Sequence, residues 1–311
     1  MEMIHLQAIL TIRISDFLYK QLNNVTFNIH MNEVGDIDYY FSFIDEKTMQ
    51  IDAHYPIDAK RFENSVFDEV FTKEACTRVI YRDEFNVMIH NFYLACQISD
   101  PAGFEITNIK ILVDGYDKKF VFTKSLLNPF SVGNLVDEKN PFSRLIDRIH
   151  VNSVIDWLKG QKDFWKEVAQ SKTGISINYF RYFHEENGPM NCLWLCMALE
   201  ALLVTNQNFS RNQIYGKLRY FIDEEEIDSK TLQKLVDNFY SFRSKIVHGK
   251  LNLYRPTMIH NATKEVDILE DSITSNESFG YLAVRICLYN MIKNNIHNLD
   301  FEEEIIYKLK Q

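Results

Sequence analysis

A chain of 311 residues, 46% apolar and 25% charged, has the make-up of a folded globular protein with room for two domains. That balance excludes extended disorder and low-complexity polymers, and a net charge of −9 argues against a protein that coats nucleic acid nonspecifically. Five cysteines, an odd number without paired spacing, fit reduced thiols in a cytoplasmic protein better than a disulfide framework. No leader pattern opens the chain, and the longest apolar run, 192–204, is broken by Glu200 and too short to cross a bilayer, so neither secretion nor a membrane is expected.

The first 126 residues read as an antiparallel β-rich domain. Ile4, Leu6, Ala8, Leu10, Ile12 and Ile14 alternate with polar residues, the period of two of a half-buried strand. Val25, Phe27, Ile29 and Met31 repeat it, and a turn at Gly35-Asp36 leads into Ile37, Tyr39, Phe41 and Phe43, which predicts a hairpin. Asp114-Gly115 separates Ile109, Ile111 and Val113 from Phe120 and Phe122 in the same way. A sandwich or a curved sheet is expected, with a short helix near 64–74. His5, His30, His54 and His90 fall in or beside strands and read as ordinary surface or core histidines.

Residues 127–143, with two Asn-Pro pairs and one Gly, read as a linker. Beyond it, over 144–311, the period becomes helical and predicts an all-α bundle, so the fold class is α+β. A helical segment covers 145–168 and another begins near Ser176. Gly188-Pro189 precedes an apolar helix ending near Val204, in which Cys192 and Cys196 read as small core residues. Ser210 with Gln213, and Thr274 with Glu277, have the spacing of capping boxes that open two further helices.

Between those two boxes lies the segment 228–248, with Leu232, Val236, Phe239 and Ile246 on one stripe. Arg243 falls about 20° from the line through Leu232, so a charge stands where a leucine would cost less. His248 occupies the last turn, where the helix dipole favours an imidazolium, and Gly249 can take the left-handed conformation that ends a helix. An arginine can hold phosphate in a fork of N–H donors, and a histidine can move a proton near neutral pH. Two other pairs, Arg144 with His150 and Arg255 with His260, have similar spacing but no such helical scaffold. Residues 175–260 hold 10 Lys/Arg against 9 Asp/Glu, so this region escapes the acidity of the rest. No residue spacing specifies a metal site, and no glycine loop fits a phosphate cofactor, so neither is expected.

The run ALEALLV (198–204), a further helix, and then FYSFRSKIVHG (239–249) followed by one more helix resembles the HEPN superfamily, in particular its Apea-like branch. The resemblance covers about 120 residues of the C-terminal half. It implies a metal-independent endoribonuclease, a toxin or antiviral-defence effector, acting on RNA as a homodimer with Arg243 and His248 as the catalytic pair. Ser244 stands where many relatives carry Asn, Asp or His. Lys245 and Lys250 are expected to receive the RNA backbone. The β domain would sense a trigger through a regulatory protein or ligand. A second reading is a catalytically silent HEPN module that binds a nucleotide, an RNA or a protein. In either, Glu200 and Arg243 are placed to neutralise each other, because each is the one charge on an otherwise apolar surface. Residues five apart on a helix diverge by about 140° and about 7.5 Å, so a distorted last turn or a second subunit must bring Arg243 and His248 together.

Overall fold

A computed structural model describes residues 3–31, 35–57, 73–113, 120–122, 147–161, 168–185, 189–205, 210–253 and 263–301. The expected linker 127–143, residues 64–72 of the short helix expected near 64–74, Arg144, Arg255 and His260 lie outside them.

The chain is α+β. Strands β1 (Met3–Ile14), β2 (Val25–Met31), β3 (Gly35–Asp45), β4 (Thr48–Pro56), β5 (Phe104–Val113) and β6 (Phe120–Phe122) form one sheet in the order β2-β3-β4-β1-β5-β6, with every pairing antiparallel. Of the two expected architectures the single sheet is the one present. The two predicted hairpins pair as expected, Val25 opposite Phe41 and Ile109 opposite Phe122. The alternation is physical: Ile4, Leu6, Ala8, Leu10 and Ile12 of β1 are buried, while the residues between them face the open side of the sheet. On that open side His5 stacks on His54 at 4.7 Å, and Asp52 accepts hydrogen bonds from His5, Gln7 and Gln50. A short helix, α1 (Asp16–Leu22), follows β1, capped by the Ser15 hydroxyl.

Sequence periodicity missed β4, and it missed α2 (Lys73–Ser99), a 27-residue helix across the covered face of the sheet. His90 therefore sits on a helix and not beside a strand. The run Phe92–Cys96 is buried at every position, which erases the 3.6-residue signal. Phe85 and Phe92 stack among Tyr39, Tyr55, Phe27, Phe41 and Phe104 of the sheet. Each such ring, fully buried, contributes roughly 1.5–3 kcal/mol.

Among the described residues the other helices are α3 (Val151–Lys159), α4 (Lys172–Glu185), α5 (Met190–Leu203), α6 (Ser210–Leu218), α7 (Ser229–Val247) and α8 (Lys264–Lys293). The final helix starts ten residues before the Thr274 box, because Thr263 caps it through the Val266 amide and Glu265 and Asp267 suit its first turn. Thr274 is thus interior to the helix, and Glu277 is buried. The Gln213 amide oxygen accepts from the Thr205 amide and from Lys217 Nζ.

Sheet and helices share one apolar core. Arg285 of α8, fully buried, donates from Nε to Ile98 O at the end of α2 and from its other side to Asp147 O. Tyr281 OH donates to Gln97 O one turn away. Arg285 and Tyr281 thereby satisfy the Ile98 and Gln97 carbonyls that the C-terminus of α2 leaves open.

Candidate active site at the end of α7

Helix α7 starts where Asp228 accepts the Thr231 amide at 2.9 Å and hydroxyl at 2.6 Å. Leu232, Val236, Phe239 and Phe242 bury one side of it, with Ile246 half-buried. Phe239 packs edge-on against Phe279 of α8 at 5.5 Å. That approach depends on Gly280, where a Cβ would stand 2.8 Å from the Phe239 ring.

The predicted glycine stop is present. Gly249 has φ +62°, its amide reaches Ile246 O at 3.1 Å, and the Lys250 amide reaches Lys245 O at 2.8 Å. This paired closure satisfies two orphan carbonyls and fixes where the chain leaves the helix. The His248 amide still donates to Ser244 O at 3.1 Å, so the last turn is an ordinary α-turn. The backbone hydrogen bond of the last turn is thus regular, and on such a helix positions 243 and 248 lie about 140° apart.

Arg243 is half-buried, and its Nε is enclosed without a hydrogen-bond partner. The expected pairing with Glu200 is not formed within ion-pair distance. Glu200 Oε1 instead accepts Tyr240 OH at 3.0 Å and faces Cys196 Sγ at 3.8 Å. Tyr240 lies one turn before Arg243 and satisfies the carboxylate first. Burial, reinforced by the Glu200 charge, pushes the Cys196 thiol up to about 12, and the Arg243 charge pulls it the other way. Burial likewise holds the Tyr240 hydroxyl far above the ordinary phenol value, so it remains a donor. Sequence reasoning missed Tyr240; its one signal was its position on the Arg243 flank of α7.

His248, Ser244, Lys245 and Lys250 are exposed. Of the other arginine–histidine pairs only His150 is described, and it caps α3 through the Asn152 amide. Cys192 and Cys196 are buried free thiols. Among the described residues no group of three or more His, Cys, Asp or Glu is placed to hold a metal ion, and no helix is long and apolar enough to cross a membrane.

Helix α5, beside Arg243, is apolar apart from Asn191 and Glu200, yet only one side is fully covered. Met190 is exposed, and Leu193, Trp194, Met197, Ala201 and Val204 are half-buried. These positions span about 100° of helix surface, with Glu200 at the edge. Trp194 extends the patch by stacking on Tyr182 at 5.0 Å.

Comparisons with protein-family models, curated proteins and solved structures gave no match.

Proposed function

We propose that the chain is a metal-independent endoribonuclease of HEPN type that works as a homodimer, in the role of a toxin or antiviral effector. The observation that carries this reading is the end of α7. An arginine with a free, enclosed Nε and an exposed histidine leave one regular helix on different faces. Each lacks what the other has, and a two-fold partner can supply it. The half-covered apolar face of α5 next to Arg243 offers the surface for that partner, since a continuous apolar helix face is normally buried.

The chemistry follows from the two groups. The ribose 2′-OH attacks the adjacent phosphorus, charge collects on the nonbridging oxygens, and the 5′-oxygen leaves. Arg243 stabilises that charge, a contribution of several kcal/mol when the donor is preorganised. His248 moves the 2′ proton or protonates the leaving oxygen, typically a 10²- to 10⁴-fold effect. Products carry a 2′,3′-cyclic phosphate and a 5′-OH. The sheet domain, in this reading, senses a trigger and restrains the activity.

The test is incubation of purified protein with RNA in EDTA, beside Arg243→Ala and His248→Ala. Cleavage by the wild type alone, ending in cyclic phosphate and sparing strands that lack the 2′-OH, is the expected result. Equal cleavage by all three, or none in vitro and none on expression in cells, would overturn it in favour of a silent binding module.

A further inference from the structure

On the side of α7 turned away from α5, a groove of about 230 Å³ opens between α7 and the first half of α8. Its floor is Phe242 and Phe279, and its walls carry Asn238, Ser241 and Lys245 from α7 and Ser275 from α8. No carboxylate is among the lining residues, although the chain as a whole is acidic. Lys245 forms no ion pair among the described residues, and its ammonium is exposed at the groove. A cation without a counter-charge, surrounded by neutral hydroxyl and amide donors, is suited to an anionic oxygen that also needs hydrogen bonds.

The position of the groove fits that chemistry. Ser241, Lys245 and His248 follow one another at i, i+4 and i+7, so on an ideal helix His248 lies about 20° from the Ser241 line and about 60° from Lys245. The groove therefore opens on the His248 side of α7, not on the Arg243 side. We propose that it seats a phosphodiester of single-stranded RNA flanking the linkage presented to His248, with Lys245 as the charge partner and the serine and asparagine side chains as donors. This inference rests on the ribonuclease reading, and it gives the strand a direction: out of the α7–α8 groove and across the helix end.

The test is fluorescence anisotropy of a labelled, uniformly 2′-O-methylated oligoribonucleotide, which binds without being cut, on the full chain at several salt concentrations. Lys245→Ala should weaken binding several-fold and lower the slope of log K against log salt by about 0.7, the contribution of one single-strand phosphate contact. Ser275→Glu, which puts a carboxylate on the opposite wall, should weaken it by about tenfold or more. Lys230→Ala, on the first turn of the same helix, should bind as the wild type. Thermal unfolding of each variant reports its folding. Unchanged affinity in both groove variants overturns the inference, and so does binding of an acidic peptide there with no binding of the oligonucleotide. If RNA is cleaved yet the groove variants bind normally, the groove fails and the enzyme stands. If the groove variants lose binding but no RNA is ever cleaved, the groove stands and the catalytic reading fails.

Discussion

Tyr240 donates its hydroxyl to Glu200 at 3.0 Å, and by doing so leaves Arg243, one turn further along α7, with an unpartnered Nε. Had the carboxylate taken the guanidinium directly, the arginine would be a neutralised structural group. Tyr240→Phe should therefore act twice. Removing a donor to a half-buried carboxylate should cost about 1–2 kcal/mol of stability. Glu200, released, should turn to Arg243 and lower the cleavage rate, by about tenfold if the charge at phosphorus is weakened by one hydrogen bond. Stability curves and single-turnover rates for Tyr240→Phe, Glu200→Gln and the double variant check this: effects that simply add would show that the two residues are not coupled.

Arg243 and His248 stand about 140° apart on an ideal helix, so under the dimer reading a site shared across a two-fold should be recoverable from two dead proteins. In a mixed dimer of Arg243→Ala and His248→Ala, one site lacks both groups and the other retains both. Random mixing should then restore about a quarter of wild-type activity. Subunit-exchange assays read this directly, and no recovery despite exchange would place both groups of a working site in one chain.

Two helical glycines should respond with opposite signs to alanine. At Gly280 a Cβ would meet the Phe239 ring at 2.8 Å and Leu195 Cβ at 3.0 Å, so Gly280→Ala should destabilise by about 1–3 kcal/mol through overpacking between α5, α7 and α8. At Gly216, exposed in α6, nothing lies within 4 Å, and Gly216→Ala should stabilise by about 0.5–1 kcal/mol by restricting the unfolded chain. Urea denaturation midpoints distinguish the two.

Alkaline pH should destabilise the fold. Burial raises the Cys96, Cys192 and Cys287 thiols and, with the Glu200 charge, lifts Cys196 to about 12. An acid whose folded value is raised keeps its proton in the native state while the unfolded chain loses it. The associated stability is intact below the ordinary thiol value of about 8.5 and falls as pH rises from there through the folded value. Denaturant midpoints should decline as pH rises from about 8.5 to ~11, more shallowly in Cys196→Ala. These four thiols should also resist alkylation at mildly alkaline pH until the chain is unfolded.

How much of this was legible beforehand differs by element. Every strand but β4, and the end of α7, were readable because their signals are local: alternation facing one open side, Asp228 at the start, Gly249 at the stop. Helix α2 was not, because Phe92–Cys96 is buried on every side and buried helices lose their period. The start of α8 was misplaced because Thr274 and Glu277 imitate a cap that Thr263 supplies eleven residues earlier. The partner of Glu200 was misjudged for another reason. Sequence shows which charges sit on apolar faces, and only coordinates show that a neutral phenol intervenes.

The hold of Arg285 on Ile98 and Asp147 makes the expected boundary at 127–143 a poor place to cut. A fragment beginning near 144 would keep α8 but lose Ile98, and with it Gln97 and Tyr93, which touch Tyr281 and His184. Rings now covered by α2 would face water, and the buried guanidinium would lose an acceptor. A truncated bundle that fails to poison cells would then be reporting aggregation, and its silence would say nothing about the chemistry at His248.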